Sequence, residues 1–262
     1  MVKKILLAVI IQFIAVGLSA QKFEMRINAG ANLSFVPDYA DLVLIANDGL
    51  IVPGLISPTN SPTPIIFDET IAETKPRFGF VADLEIRMKL CDHCSLSLAT
   101  GIARINYKYD NYINVDGTPN VRLSELNNDF GSTKLLYLNL RPLNFGVELF
   151  NNKLTLLGGA TFNFFLKGTS NSTVILYAEP VNGGEEDEVE KVYFSTTGKA
   201  NSVLFGAHLR AEFTIIKALN LFLSGQYYFN SIYNGEKSNF PELKAAKPAT
   251  IEMGMSYTFW RF

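Results

Sequence analysis

From Lys22 onward the chain alternates strictly. Phe23, Met25, Ile27, Ala29, Ala31, Leu33 and Phe35 occupy one phase, and Glu24, Arg26, Asn28, Gly30, Asn32 and Ser34 the other. Successive strand side chains point to opposite faces, so this run predicts a β-strand with one apolar and one polar face. Seven further runs repeat the pattern, over 77–90, 95–109, 134–149, 154–167, 201–215, 219–230 and 249–262. Two of them change phase. After Ile102 the apolar phase moves to Ile105, Tyr107 and Tyr109, which predicts a bulge near Ala103. After Leu140 it moves to Leu143, Phe145 and Val147 across Arg141-Pro142, where proline cannot donate to a ladder.

The intervals between runs alternate as regularly as the side chains. Long segments (36–76, 110–133, 168–200, 231–248) follow the odd-numbered runs, and short ones (91–94, 150–153, 216–218) follow the even-numbered runs. Long loops at one end, tight turns at the other and an even strand count describe a transmembrane barrel, whose tilted strands need about 9 to 11 residues each. Aromatic residues gather at both ends. Phe23, Phe259, Trp260 and Phe262 fall at the turn end, with Phe35, Phe78, Tyr107, Tyr109, Tyr227 and Phe229 at the loop end. The expected fold is all-β: an eight-stranded antiparallel up-and-down transmembrane β-barrel with long outer loops and short periplasmic turns.

Charge decides which face meets lipid. The polar phase carries Glu24, Arg26, Asp83, Glu85, Arg87, Lys89, Arg104, Arg141, His208, Arg210, Glu212 and Glu252. Each basic side chain facing lipid near the midplane would cost about 2 to 4 kcal/mol, so these residues are expected to face inward. The interior of an eight-stranded barrel is just wide enough for side chains to fill. Glu24, Arg26, Asp83, Glu85, Arg87, His208, Arg210, Glu212 and Glu252 should therefore pair as a lumen network, which argues against a diffusion pore.

The N-terminus supplies an address. Lys3 and Lys4, the apolar stretch 5–16 and Gly17-Leu18-Ser19-Ala20 read as an export signal over 1–20, leaving 21–262 as an outer-membrane barrel domain. A formal net charge of −2 and a pI near 5.8 provide no basic field for nucleic acid. No catalytic, metal or cofactor-binding set is expected. Outer-membrane lipid is the expected surrounding, with the barrel-assembly machinery as a partner during biogenesis.

Three segments carry candidate chemistry. Cys91-Asp92-His93-Cys94 has redox or half-zinc spacing, yet it falls in a turn of an exported chain, so a disulfide between Cys91 and Cys94 is expected. Glu185-Glu186-Asp187-Glu188-Val189-Glu190 reads as a solvated acidic loop, with divalent-cation binding as the alternative. The first long loop sets Pro53, Pro58, Pro62 and Pro64 among Leu42 to Phe67, an apolar stretch expected to fold over the barrel mouth or dock an envelope protein. A lipid-modifying enzyme is the alternative, using Ser202, His208 and Glu212. At about 3.3 Å per residue His208 is at least about 13 Å along its strand from either, too far for a relay. A narrow solute channel is a third class.

Tyr137-Leu138-Asn139-Leu140-Arg141-Pro142-Leu143, with Leu156-Leu157-Gly158-Gly159-Ala160 and Leu204-Phe205-Gly206-Ala207, resembles the PorT-like outer-membrane β-barrel family, small eight-stranded barrels of Gram-negative bacteria. Arg141 before the proline departs from the family's pattern. The resemblance implies a non-enzymatic envelope role, with a link to secretion or surface assembly.

Overall fold

The computed structural model describes residues 22–46, 49–51, 65–113, 121–122, 131–151, 153–178, 187–195, 200–232 and 246–261. The export signal lies outside them, as do Phe262, the acidic residues 185–186 and residues 47–48 and 52–64 of the first loop.

Eight strands form the wall: β1 (Lys22–Phe35), β2 (Ile65–Lys89), β3 (Cys94–Ile113), β4 (Gly131–Leu149), β5 (Leu154–Ala178), β6 (Val203–Ile216), β7 (Leu219–Tyr228) and β8 (Ala249–Arg261). Each pairs antiparallel with its sequence neighbours, and β8 returns to β1, so the meander closes without an edge. Closure satisfies every ladder, which is what lipid demands of a β-structure. Among the described residues no helix is long and apolar enough to cross a membrane.

The wall is uneven in height. Strands β2 to β5 run 25, 20, 19 and 25 residues, whereas β6, β7, β8 and β1 run 14, 10, 13 and 14. On the tall side the long segments continue the sheet. Tyr39–Ala46 pairs with the first part of β2, Val121–Arg122 with the end of β3, and Asp187–Ser195 with the end of β5. Strands β2 and β5 thus extend further than their alternation predicts.

The two expected bulges fare differently. At Arg141-Pro142-Leu143 the pairing slips on both sides of β4, and the inward phase moves from Asn139 and Arg141 to Asn144 and Glu148. Near Ala103 strand β3 keeps its phase, and the extra residue lies on β2 between Arg77 and Val81. Ser95, Ser97, Ala99, Ala103, Ile105 and Tyr107 consequently all point inward and are buried. Ile105 and Tyr107 do not join the lipid-facing belt, and Arg104 does not face the lumen. The pattern changed phase there because the lumen itself changes from polar to apolar. A third bulge, between Met25 and Arg26, pairs Trp260 with Met25 and Thr258 with Arg26, which sets the register of the last residues.

Closure of β1 on β8 brings Gly30 opposite Gly254. A Cβ at Gly254 would collide with the Ala29 carbonyl oxygen and lie 2.6 Å from Gly30 Cα and 2.8 Å from the Phe222 ring. Gly254→Val should therefore deplete the compact, heat-modifiable species in gel electrophoresis. Gly225→Ala, where an added Cβ meets nothing within 4 Å, should leave it intact.

Candidate functional site

Among the described residues the lumen is where polar chemistry concentrates, and it is layered. At the turn end lies a cross-braced ion network. Glu212 on β6 accepts from Arg26 Nη1 on β1 at 2.9 Å and from Arg87 Nη2 on β2 at 2.9 Å. Arg210 Nε lies 3.0 Å from the same carboxylate but off the hydrogen-bond direction. Arg26 also donates to Glu24, and Arg87 to Glu85 at 2.7 Å. Arg261, half exposed, caps Glu24 at 3.0 Å. Strand alternation places these groups, since each lies at an inward position of its strand.

A second brace lies further along the axis. Arg141 on β4 reaches Glu252 on β8 at 2.8 Å and Asp83 on β2 at 3.5 Å. Asn28 Nδ2 donates to Asp83 at 2.5 Å and to Glu85 at 3.0 Å, tying the two layers together. Beyond this brace the bonding becomes neutral. Gln226 donates to Glu252, Tyr228 donates to Gln226 at 3.0 Å, Asn163 to Tyr228 at 2.6 Å and Asn139 to Asn163 at 2.5 Å.

At the loop end the lumen is apolar. Val36, Ile105, Tyr107, Leu135, Tyr137, Leu204, Tyr228, Ile232 and Ala246 form one buried cluster, with Phe165 edge-on to Tyr137 at 5.7 Å. This plug is the feature that reading by alternation missed. Its signal was present, because apolar residues on an otherwise polar face are what a stoppered lumen requires.

All nine residues of the expected network point inward and are buried. Eight are linked to one another or to other lumen side chains by ion pairs or hydrogen bonds, whereas His208, beside Arg141 and Arg210, bonds the Gly159 backbone and has no partner at Nδ1. Asn28, Arg141, Asn139, Asn163, Gln226 and Tyr228 extend the lumen bonding. Arg210 also stacks on Phe222, with its guanidinium carbon 3.9 Å from the ring centroid. Ser202 is exposed and precedes β6, so it shares no site with His208 and Glu212.

The expected Cys91–Cys94 disulfide is absent, and both residues are free thiols. Backbone bonds already close their turn, from Leu90 N to Cys94 O at 2.9 Å and from Cys94 N to Cys91 O at 3.4 Å. The Cys94 side chain hydrogen-bonds Cys91, which lowers the Cys91 thiol from its ordinary range and raises that of Cys94. Among the described residues no group of His, Cys, Asp and Glu could hold a metal ion.

Ile27, Leu84, Phe145, Leu209, Phe213, Leu223, Met253 and Met255 stand exposed on the outside of the same strands. No soluble fold presents this inversion, because it would leave an apolar belt in water and ion pairs in the core. The chain is a transmembrane β-barrel.

No family model matches the chain, and no curated protein matches it by sequence, so the PorT-like likeness gains no support from either. Solved structures similar in overall shape include the outer membrane protein OprG from Pseudomonas aeruginosa, at 14% identity and a TM-score of 0.42, covering 92% of this chain and 97% of that one. Neisserial surface protein A is similar at 9% identity and a TM-score of 0.39, over 90% and 97% of the two chains. The attachment invasion locus protein Ail of Yersinia pestis is similar at 12% identity and a TM-score of 0.35, over 92% and 98%.

Glu212→Gln should lower unfolding stability by about 3 to 5 kcal/mol in a urea titration, because three buried arginines lose their shared anion. Lys89→Gln, which breaks the partly exposed Lys89–Glu148 pair at 2.8 Å, should cost about 1 kcal/mol or less in the same titration.

Proposed function

We propose that this barrel is a non-enzymatic outer-membrane protein that acts through what its loop end presents, in attachment, assembly or secretion at the envelope surface. The carrying observation is the filled lumen. Ion pairs brace one half, and a cluster of buried aromatic and aliphatic side chains stoppers the other, so among the described residues side chains fill the axis, which speaks against a solute path or substrate cleft there. What is left for a partner is the outer extension: the tall β2–β5 wall and the strands that Tyr39–Ala46 and Asp187–Ser195 add to it. The apolar first loop, 42–67, is the segment we assign to an envelope protein partner. The secretion link rests on the PorT-like resemblance of strands β4 to β6.

Planar-bilayer recording tests this reading. The purified barrel should insert without discrete conductance steps, its insertion into the same lipid being shown by heat-modifiable gel mobility of the reconstituted protein. Steps from the unaltered protein would overturn the reading. Mass spectra of lipid A that change in the presence of the protein would favour the enzyme.

A further inference from the structure

The alternation inverts at one level on three neighbouring strands. On β3 the outward positions run Leu96, Leu98, Thr100, Ile102, then Arg104 and Lys108, while the inward ones pass from Ser95 and Ser97 to Ala103, Ile105 and Tyr107. On β4, read toward the loop end, the outward positions run Leu140, Leu138, Leu136, then Lys134 and Ser132, and the inward ones pass from Arg141 and Asn139 to Tyr137 and Leu135. On β5 the outward Phe162, Phe164 and Leu166 give way to Lys167. An outer face that turns from apolar to charged while the lumen turns the other way marks where the wall leaves the hydrocarbon.

At this boundary three cations meet. Leu136 pairs with Arg104 on one side and with Lys167 on the other, and Lys134 occupies the next outward position of β4. Strand spacing puts Arg104 and Lys167 about 10 Å apart with Lys134 about 7 to 8 Å from each. One row below lies the fully apolar triplet Ile102, Leu138 and Phe164. Among the described residues none of the three cations has an acidic partner. Nearby on β2 and β3 the charges balance, since Lys75 pairs with Lys108 beside Glu73 paired with Asp110, and all four are engaged. The opposite side of the barrel meets the interface with Phe35, Phe205, Tyr227 and Phe229. The cationic triangle is thus confined to the tall side.

We propose that Arg104, Lys134 and Lys167 form a lipid-facing site for the phosphate groups of an outer-leaflet glycolipid. The apolar triplet beneath them takes the acyl chains of the same molecule. A lysine or arginine at the edge of the hydrocarbon extends its charge to headgroup level while its stem stays on apolar surface. Each such cation near an anionic surface contributes about fivefold in affinity. A free phosphate lacks the acyl anchor, so a lipid is the occupant that uses both halves of the surface.

The test measures binding of bis-phosphorylated lipid A, its dephosphorylated form and inorganic phosphate to the purified full-length barrel in detergent by native mass spectrometry. The phosphorylated lipid should bind at least tenfold more tightly than the dephosphorylated one, and inorganic phosphate should not compete at equal concentration. Arg104→Gln/Lys134→Gln/Lys167→Gln should abolish the preference, each single variant should lower it about fivefold, and Lys247→Gln on the opposite side should leave it unchanged. Heat-modifiable gel mobility reports that each variant is folded, and the single variants carry the test if the triple one is not. Equal binding of both lipids, competition by free phosphate, or a preference that survives the substitutions would overturn the proposal.

Discussion

The shared carboxylate of Glu212 holds this barrel's interior together. Strand β6 lies across the lumen from β1 and β2, so the contacts of Glu212 with Arg26 and Arg87 span the barrel instead of running along its wall. A buried charge left alone costs several kcal/mol, whereas here three guanidiniums gather on one carboxylate, Arg26 and Arg87 each meeting a second acid, Glu24 or Glu85, and Arg210 stacking on the Phe222 ring. Arg141 repeats the device one layer on, joining β4 to both β2 and β8. Register in a sheet is otherwise free to slip by two residues, and these braces oppose that slip because any shift would separate matched charges across the axis.

A braced lumen constrains the exterior in turn. With all charge committed inward, the outward phase is free to be apolar over the height of the hydrocarbon, as Leu209, Phe213, Leu223 and Met253 show. Beyond the hydrocarbon the exterior no longer needs to be apolar, and the lumen no longer needs charge. The exchange near Arg104, Lys134 and Lys167 results, with Tyr107, Tyr137 and Leu204 closing the interior just where cations emerge outside. The bulge at Arg141-Pro142-Leu143 serves the same arrangement. It lets Arg141 reach Glu252 inside while Leu143 and Phe145 stay on lipid.

How much of this was legible in the sequence depended on whether one rule held along a whole strand. In β1 and β8 the polar phase is the lumen from end to end, and in β6 it is so from Gly206 to Glu212, so Glu24, Arg26, His208, Arg210, Glu212 and Glu252 could be placed by parity alone. In β3 the rule of polar-inside fails halfway. Ile105 and Tyr107 looked like a phase slip because the pattern records polarity, and polarity reports direction only while the solvent on each face stays the same. The position of the compensating bulge, on β2 and not β3, was invisible because an extra residue leaves its mark on whichever strand bends, with no local composition signal. Partner choice within the lumen was equally hidden. Nothing in the spacing says that Arg141 takes Glu252 and Asp83 while Arg87 takes Glu85 and Glu212, because those pairings depend on shear around a closed ring.

The uneven wall ties these levels together. A barrel whose eight strands ended at one height would bury no more lipid-facing surface than this one, since β6, β7 and β8 already span with 10 to 14 residues. The additional length of β2 to β5 therefore contributes nothing to crossing the membrane. It lies wholly on the side where the alternation inverts, where the short strands Tyr39–Ala46 and Asp187–Ser195 add on and where Arg104, Lys134 and Lys167 cluster on the outer face. Anchoring that side to phosphate while the opposite side rests on an aromatic girdle would hold the tall wall in a fixed relation to the surface. On that proposed anchoring the lumen network would act as the brace for the raised flank, since Glu212 and Arg141 tie β2 and β4 to the short strands opposite.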